Sequence, residues 1–533
     1  MPEASKRDSG RKPQNVVVLL LDSLNRHFLS CYLDEAEQRA RRVATGVGAW
    51  ADIEPVATPN LDRLAARSLR FDRHWSGSLP CMPARHDVLV GALDFLWRPW
   101  GSIEVWEDAI TYDLRRAGVT TMLVSDHPHL FECGGENYHT DFSAWDYVRG
   151  HEGDPWRTRP DPSWTGTPAL PAAPSFVHHP YDDSRTYFRA EDEFPGPRTM
   201  QAAEQWLRSS ARHHDRFLLF VDEFDPHEPF DTPTPWSGRY DPAWDRPLMI
   251  WPPYSTDTMA NARMTPEEAR QVRANYQSKV AMIDHWLGRV LDALDDLALW
   301  DDTAVVLCTD HGHYLGERDA FGKPGLPIYS ELGHTPLLIA WPGVEAGTVD
   351  ALTTNVDLHS TIADVFAVSP AHRTHGRSLA PLVTGAADSV RDYALLGYWG
   401  RQVHIVDRGR HYARAPVEEN TPLAMWSNRW STMPIRSRPE LRLPRPDKRA
   451  ALAFVPGSDV PVIRQPFAPG DSLPFWGYGV ECDRNYLHDL DADPWQTEDR
   501  AGTAAEKEAI DVLRAALDDV EAPAEQYERL GLA

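Results

Sequence analysis

Uninterrupted apolar runs mark this chain, and two of them run up to an Asp. "NVVVLLLD" (Asn15–Asp22) and "DTAVVLCTDHG" (Asp302–Gly312) are β-branched and aliphatic up to Asp22 and Asp310. "GVTTMLVSDH" (Gly118–His127), "RFLLFVDEFDPHEPF" (Arg216–Phe230) and "HTPLLIAWPG" (His334–Gly343) share the pattern. A strand with one wet face alternates in polarity. A run without alternation suits a central parallel strand covered by helices on both faces. Helical periodicity fills the intervals. "TPNLDRLAARS" (Thr58–Ser68) offers Thr58 as a cap, Pro59 at the first helical position, and Leu61, Leu64 and Ala65 on one face. Thr265–Leu299 is a long helical pattern leading into the Asp302 strand.

Strands alternating with helices predict an α/β fold with a largely parallel sheet. Ligands in such folds gather at the carboxyl ends of strands. Asp22, His127, Asp222, His227 and Asp310 all belong there. Residues 154–197 are rich in Pro, Trp and Asp and read as an excursion over the large domain, contributing to a substrate pocket. After about Gly385 the character changes. Tyr393–Arg414 reads as antiparallel strands with turns at Gly400 and Gly409, and Thr503–Val520 as an amphipathic helix. The expectation is a catalytic α/β domain over 1–385 and a smaller α+β domain over 386–533.

Composition narrows the partners. The chain has 533 residues, with 54 Lys plus Arg against 79 Asp plus Glu, a net charge of −25. That disfavours nucleic acid or an anionic membrane as the main partner. Val16–Leu21 is too short to span a bilayer, and no secretory pattern follows the basic residues ahead of it, so a cytoplasmic location is expected. Cys31, Cys81, Cys133, Cys308 and Cys482 are scattered and include no C-x-x-C, so neither a disulfide framework nor a zinc cluster is expected.

The chemistry centres on a few groups. Asp22 and Asp310–His311 follow buried strands and make a plausible divalent-cation site; for either Asp alone, capping the next loop explains as much. Cys81 lies between prolines, with Arg85 one helical turn on and Pro83 suited to a first turn. A helix N-terminus with an arginine stabilises an anion or a polar oxygen group there. Taken singly, Cys81 is a packed thiol, His227 a structural histidine and Lys323 a solvated loop residue.

Together these residues resemble the sulfatase family, within the alkaline-phosphatase-like superfamily. Cys81-Met82-Pro83-Ala84-Arg85 matches its C-x-P-x-R signature. The order around it is similar too: a strand ending in Asp22, the "TPNLDRLA" helix, the signature, "DPHEPF", "TDHGHYLGE", "FGKPG", and "NYLHDLDADPWQTED" (Asn485–Asp499) near the end. The resemblance implies a sulfatase that hydrolyses a small-molecule sulfate ester. A maturation enzyme would convert Cys81 to formylglycine, whose hydrate is the nucleophile. Asp22, Asp310, His311 and residue 81 would hold one divalent cation, Ca²⁺ by preference and Mn²⁺ as the alternative. Arg85 would fix the diol, Lys323 would bind an ester oxygen, and His227 would contact the ester and protonate the leaving oxygen. His127 falls near a family substrate-binding segment whose Lys is missing here. Ser23 in place of a second Asp is a departure shared with phosphonate monoester and phosphodiester hydrolases, and His311 at the second metal strand occurs in some sulfatases and in those hydrolases alike. That activity is the alternative; a non-catalytic anion- or metal-binding relative would need Cys81 to stay unmodified.

Overall fold

The structure is a computed structural model and describes residues 10–50, 52–132, 134–170, 180–323, 328–429, 449–471, 473–474 and 483–533. Cys133, Cys482, the last two residues of "FGKPG" and part of the 154–197 excursion lie outside the described residues. Cys31, Cys81 and Cys308 are free thiols.

Eight strands form the main sheet: β1 (Asn15–Leu21), β2 (Leu69–Trp75), β3 (Thr120–Ser125), β4 (Ala144–Tyr147), β5 (Phe217–Glu223), β6 (Thr303–Cys308), β7 (Leu338–Ala340) and β8 (Gly347–Thr354). Their order is β8-β2-β7-β6-β1-β5-β3-β4. β1 lies between β5 and β6 and is parallel to both, with Leu20 opposite Asp222 on one side and Cys308 on the other. β7 corrects the sequence reading: it runs antiparallel to both β2 and β6. A continuous apolar run reports burial on two faces, and burial does not encode strand direction.

The apolar runs divide between two cores by parity. Val17, Leu19 and Leu21 of β1 join Leu219 and Val221 of β5 and Val305 and Leu307 of β6 in one layer. Val16, Val18 and Leu20 join Leu218, Phe220, Ala304, Val306 and Cys308 in the other. Since side chains alternate along a strand, Asp222 projects toward the second layer, and Asp22 and Asp310 continue the same even-numbered rows.

The first layer holds α1 (Pro59–Ala65) and the 31-residue α4 (Pro266–Asp296), with α3 (Pro195–Ser210) between sheet and solvent. Thr58 does not cap α1 through its side chain. Asp284 of α4 does so instead, accepting from the backbone N–H of Leu61 at 2.7 Å and of Asn60 at 3.2 Å. A carboxylate from a packed neighbour satisfies the same orphan donors that a local cap would.

The second layer holds α2 (Cys81–Val90) and α5 (Val356–Phe366). All ten residues of α2 are buried, so the helix has no wet face. Gly91 ends it at φ 79°, where a side chain would also strike the His359 ring. Asp87 accepts from the backbone N–H and Oγ of Ser78, at 2.6 and 2.7 Å. His86 Nε2 meets Glu107 Oε2 at 2.8 Å and its Nδ1 faces the Ala92 carbonyl at 3.2 Å. Both nitrogens therefore face acceptors, which suits an imidazolium.

A second sheet contains β9 (Tyr393–Tyr398), β10 (Val403–Asp407), β11 (Arg410–Arg414) and β12 (Tyr486–Asp489). The turns at Gly400 and Gly409 have φ 72° and 81°. These strands are antiparallel, and α6 (Ala504–Asp519) packs Leu513 and Leu517 on Ile405, Tyr412 and Leu487. The sheet is not built from the C-terminal segment alone: Ser78–Leu79, just ahead of α2, joins it parallel to β9. The residues preceding Cys81 are thus held by both sheets. Among the described residues, no helix is long and apolar enough to cross a membrane.

The His86 pair gives a pH prediction. Burial opposes the charge, yet Asp94 and Glu107 raise the imidazolium pKa to about 9. A folded value above the ordinary one gives stability that is complete below about pH 6.5 and is lost as pH rises through about 9. Urea unfolding at about pH 6 and about pH 9 should show wild type losing up to roughly 3 kcal/mol more than His86→Gln across that window. Parallel losses in the two proteins would contradict the charged pair.

Candidate active site

Cys81 opens α2 directly above the ends of β1, β5 and β6, and is 2% exposed. Its Sγ lies 3.3 Å from His311 Nε2, 3.5 Å from Lys323 Nζ and 4.0 Å from Asp22 Oδ1. Arg85, one turn along, points back under it. Its Nε and Nη2 donate to the two oxygens of Asp222 at 2.8 and 2.6 Å. Its Nη1 lies 3.0 Å from both Asp22 Oδ2 and Asp310 Oδ2 and also donates to the Cys81 carbonyl at 3.2 Å. Asp22, Arg85 and Asp310 are fully buried and Asp222 nearly so. One guanidinium thus bridges three strand-end carboxylates.

Ser23 completes the base of the site. It sits at φ 63°, its Oγ donates to Asp22 Oδ1 at 2.7 Å, and its N–H donates to Asp310 Oδ1 at 3.0 Å. The residue after Asp22 is therefore a hydroxyl that orients carboxylates, not another carboxylate. Asp310 Oδ1 also accepts from the His311 N–H at 2.8 Å, leaving Oδ2 toward Arg85 and His311 Nε2. His311 Nδ1 faces the Gly312 carbonyl at 2.9 Å. A carbonyl only accepts, so Nδ1 carries the proton and Nε2 presents its lone pair to the cluster.

The charges shape these groups in different directions. Burial, followed by Asp310, pushes the Asp22 carboxyl well up, against Arg85 and Lys323. Burial acts on Asp310 in the same sense, but His311 and Arg85 outweigh it and hold that carboxyl below its ordinary range. Burial lowers His311 to about 3, so its imidazole is neutral. Burial and then Asp22 push the Cys81 thiol well above its usual value. A thiol held protonated is a poor nucleophile.

Ligand atoms of Asp22, Cys81, Asp310 and His311 all lie within 4.8 Å of one another. Asp22 Oδ2 is buried and, apart from its ion pair with Arg85, has no hydrogen-bond partner among the described residues. Two carboxylates and one pre-oriented imidazole lone pair, gathered around residue 81, are a donor set that fits a divalent cation. Asp222 lies outside that set because Arg85 occupies both its oxygens.

The remaining predicted residues form the rim. Lys323 Nζ is also 3.4 Å from Ser23 Oγ. Burial opposes its charge, yet the carboxylates around it, Glu228, Asp22 and Asp310, hold it protonated. His227 donates Nδ1–H to the Glu228 carbonyl at 2.7 Å and stacks on Phe224 at 4.1 Å. Burial lowers its pKa well below normal against the pull of Glu228. His127 Nε2 approaches Asp22 Oδ2 at 3.8 Å, and neither ring nitrogen makes a hydrogen bond among the described residues. The structure thus brings together Asp22, Cys81, Arg85, His127, Asp310, His311 and Lys323, with His227 within electrostatic reach of Lys323.

Sequence reasoning overlooked Glu228, His313 and Tyr254. The Glu228 carboxylate takes the Tyr254 hydroxyl and lies 3.3 Å from His313 Nε2. Glu228 and His313 stand inside "DPHEPF" and "DHGHYLGE", so the motifs held the signal; Tyr254 stands in no motif.

The family model described as Sulfatase matches residues 14–368. The chain belongs to the sulfatase family. It is similar to a choline-sulfatase of Rhizobium meliloti, 29% identical over 61% of this chain and 67% of that protein. It is also similar to a multifunctional alkaline phosphatase superfamily protein of Trinickia caryophylli, 26% identical over 69% and 77%. Among solved structures, a phosphonate monoester hydrolase of Agrobacterium radiobacter superposes with TM-score 0.61 at 18% identity, covering 96% of this chain and 95% of that one. These likenesses bear out the alkaline-phosphatase-like fold and place this sulfatase among sulfuric ester hydrolases.

The ionic base of the site makes a stability prediction. Arg85→Met strands three buried carboxylates and should lower the unfolding free energy by roughly 3–5 kcal/mol. Cys81→Ala removes one small buried group and should cost less than about 2 kcal/mol. Urea unfolding of both variants checks this, and equal losses would refute the bridging role of Arg85.

Proposed function

We propose that this sulfatase hydrolyses a small-molecule sulfate ester, with residue 81, matured from cysteine to formylglycine, as the nucleophile. The observation that carries the reading is the position of Cys81 Sγ, at a helix N-terminus and amid Asp22, His311 and Lys323. A hydrated aldehyde there supplies one hydroxyl to attack sulfur and a second whose ionisation frees the product. A divalent cation held by Asp22, Asp310, His311 and residue 81 supplies positive charge to the ester oxygens and to the diol. Ca²⁺ is the proposed ion, with Mn²⁺ the alternative that the His311 imidazole favours.

The chain's own groups have separable roles. Arg85 holds the carboxylates in register and reaches the backbone of residue 81. Lys323, charged and 3.5 Å from Sγ, is placed to bind an ester oxygen. His127, whose ring nitrogens make no hydrogen bond among the described residues, offers them to the ester. His227 protonates the leaving oxygen through Nε2, the nitrogen its contact with the Glu228 carbonyl leaves over. That role requires the anionic ester to raise an imidazole which burial keeps neutral.

A second reading is hydrolysis of phosphonate monoesters or phosphodiesters on the same scaffold. Ser23 favours it, because a hydroxyl beside Asp22 leaves the first metal strand with one carboxylate. Rates on an aryl sulfate, an aryl phosphonate monoester and an aryl phosphodiester separate the two. The sulfate should have the highest kcat/KM, and Cys81→Ala should abolish turnover of all three while the protein remains folded. Faster turnover of either phosphorus ester would reject the sulfatase reading, and an active Cys81→Ala would reject the nucleophile.

A further inference from the structure

The segment Phe224–Asp231, which carries His227, is held by buried charges that take no part in the cluster around Cys81. Asp225 Oδ1 is shared by His151 Nε2 at 2.6 Å and Lys279 Nζ at 2.8 Å. Asp225 is fully buried, and His151 and Lys279 are each 1% exposed. Lys279, from α4, also donates to the Asp231 carbonyl at 3.2 Å. The Asp231 carboxylate receives Nε and Nη2 of Arg185 at 2.8 and 3.1 Å. The two ends of the segment are therefore pinned to one lysine of the long helix, and each also meets a cation or imidazole from the stretch ahead of α3.

The same groups reach the His227 ring through Phe224. His227 stacks on one face of Phe224, and His151 lies edge-on to that ring with centroids 4.9 Å apart. His151 thus fixes the backbone through Asp225 and the stacking partner through packing. Burial opposes ionisation of Asp225, but Lys279 and His151 hold its carboxyl below the ordinary range, so its pair with Lys279 is ionic.

We propose that Asp225, His151 and Lys279 are positioning residues for His227: they fix the segment on both sides of the imidazole so that Nε2 stays in reach of the leaving-group oxygen. None of the three is placed on the substrate. The inference rests on the reading of His227 as proton donor.

A purely structural role would depress turnover of every substrate alike. A role in proton delivery is felt in proportion to the need for the proton. It is large for an alkyl sulfate, whose alkoxide leaves poorly, and small for a nitrophenyl sulfate, whose phenolate leaves well. The test is kcat/KM on such an alkyl and aryl pair, in whichever ester series the matured enzyme turns over faster. Wild type, His227→Ala, Asp225→Asn and His151→Gln are compared, each checked for folding by thermal unfolding.

Asp225→Asn should lose about a hundredfold on the alkyl ester and less than about threefold on the aryl ester, following the pattern of His227→Ala. His151→Gln, which keeps the Lys279 pair, should show the same pattern at smaller size. If Asp225→Asn does not fold, His151→Gln decides by the same criterion. Should His227→Ala discriminate between the esters while the positioning variants lose equally on both, or on neither, the positioning proposal is overturned. Should His227→Ala itself fail to discriminate, the donor role is overturned and the proposal with it.

Discussion

The site depends on one buried guanidinium. Arg85 lies beneath Cys81 and touches Asp22, Asp222 and Asp310, one carboxylate from each of three adjacent parallel strands. Carboxylates at this depth are costly unless paired. Arg85 makes the arrangement possible, and it also ties α2 to the sheet. Its position four residues after Cys81 is what fixes the sulfur over the strand ends. Counting Arg85 and Lys323 against the three carboxylates leaves an excess of one negative charge. Burial and then Asp310 push the Asp22 carboxyl well up, so the excess is felt as a pull on Asp22 toward its protonated form. A divalent cation at this point would relieve the same imbalance.

Much of this geometry was legible in the sequence because strand periodicity is strict. Within each strand, residues two apart share a face, so Leu20 with Asp22 and Cys308 with Asp310 follow from two apolar runs and the residue after each. The spacing from Cys81 to Arg85 is one helical turn, so their proximity was also readable. The direction of β7 was not, because apolar content reports burial alone. Thr58 looked like a cap by residue type, but Asp284, 226 positions farther along the chain, reached the same N–H groups first. Asp222 was placed correctly at a strand end; its pairing with Arg85 depends on strand order, which periodicity does not supply.

The excursion over 154–197 has a more specific place than its composition suggested. Tyr181, Phe188 and Phe194 pack with Leu248 and Ile250 in a small core of their own. Arg185, beside them, holds Asp231, and His151, just upstream, holds Asp225. The excursion therefore buttresses the rim of the site from outside, while α4 does so from within. Such long-range ion pairs leave no local pattern, which explains why "DPHEPF" could be recognised in the sequence but its supports could not.

The central claim is that strand-end carboxylates and residue 81 converge on one cation, with an oxidised side chain at position 81. A crystal structure of the enzyme purified from its native host, with anomalous data to locate and identify the metal, tests it most directly. The account predicts one metal peak coordinated by Asp22, Asp310 and His311, and diol density at residue 81 in contact with it. An unmodified thiol at residue 81 and no metal among these three side chains would contradict it.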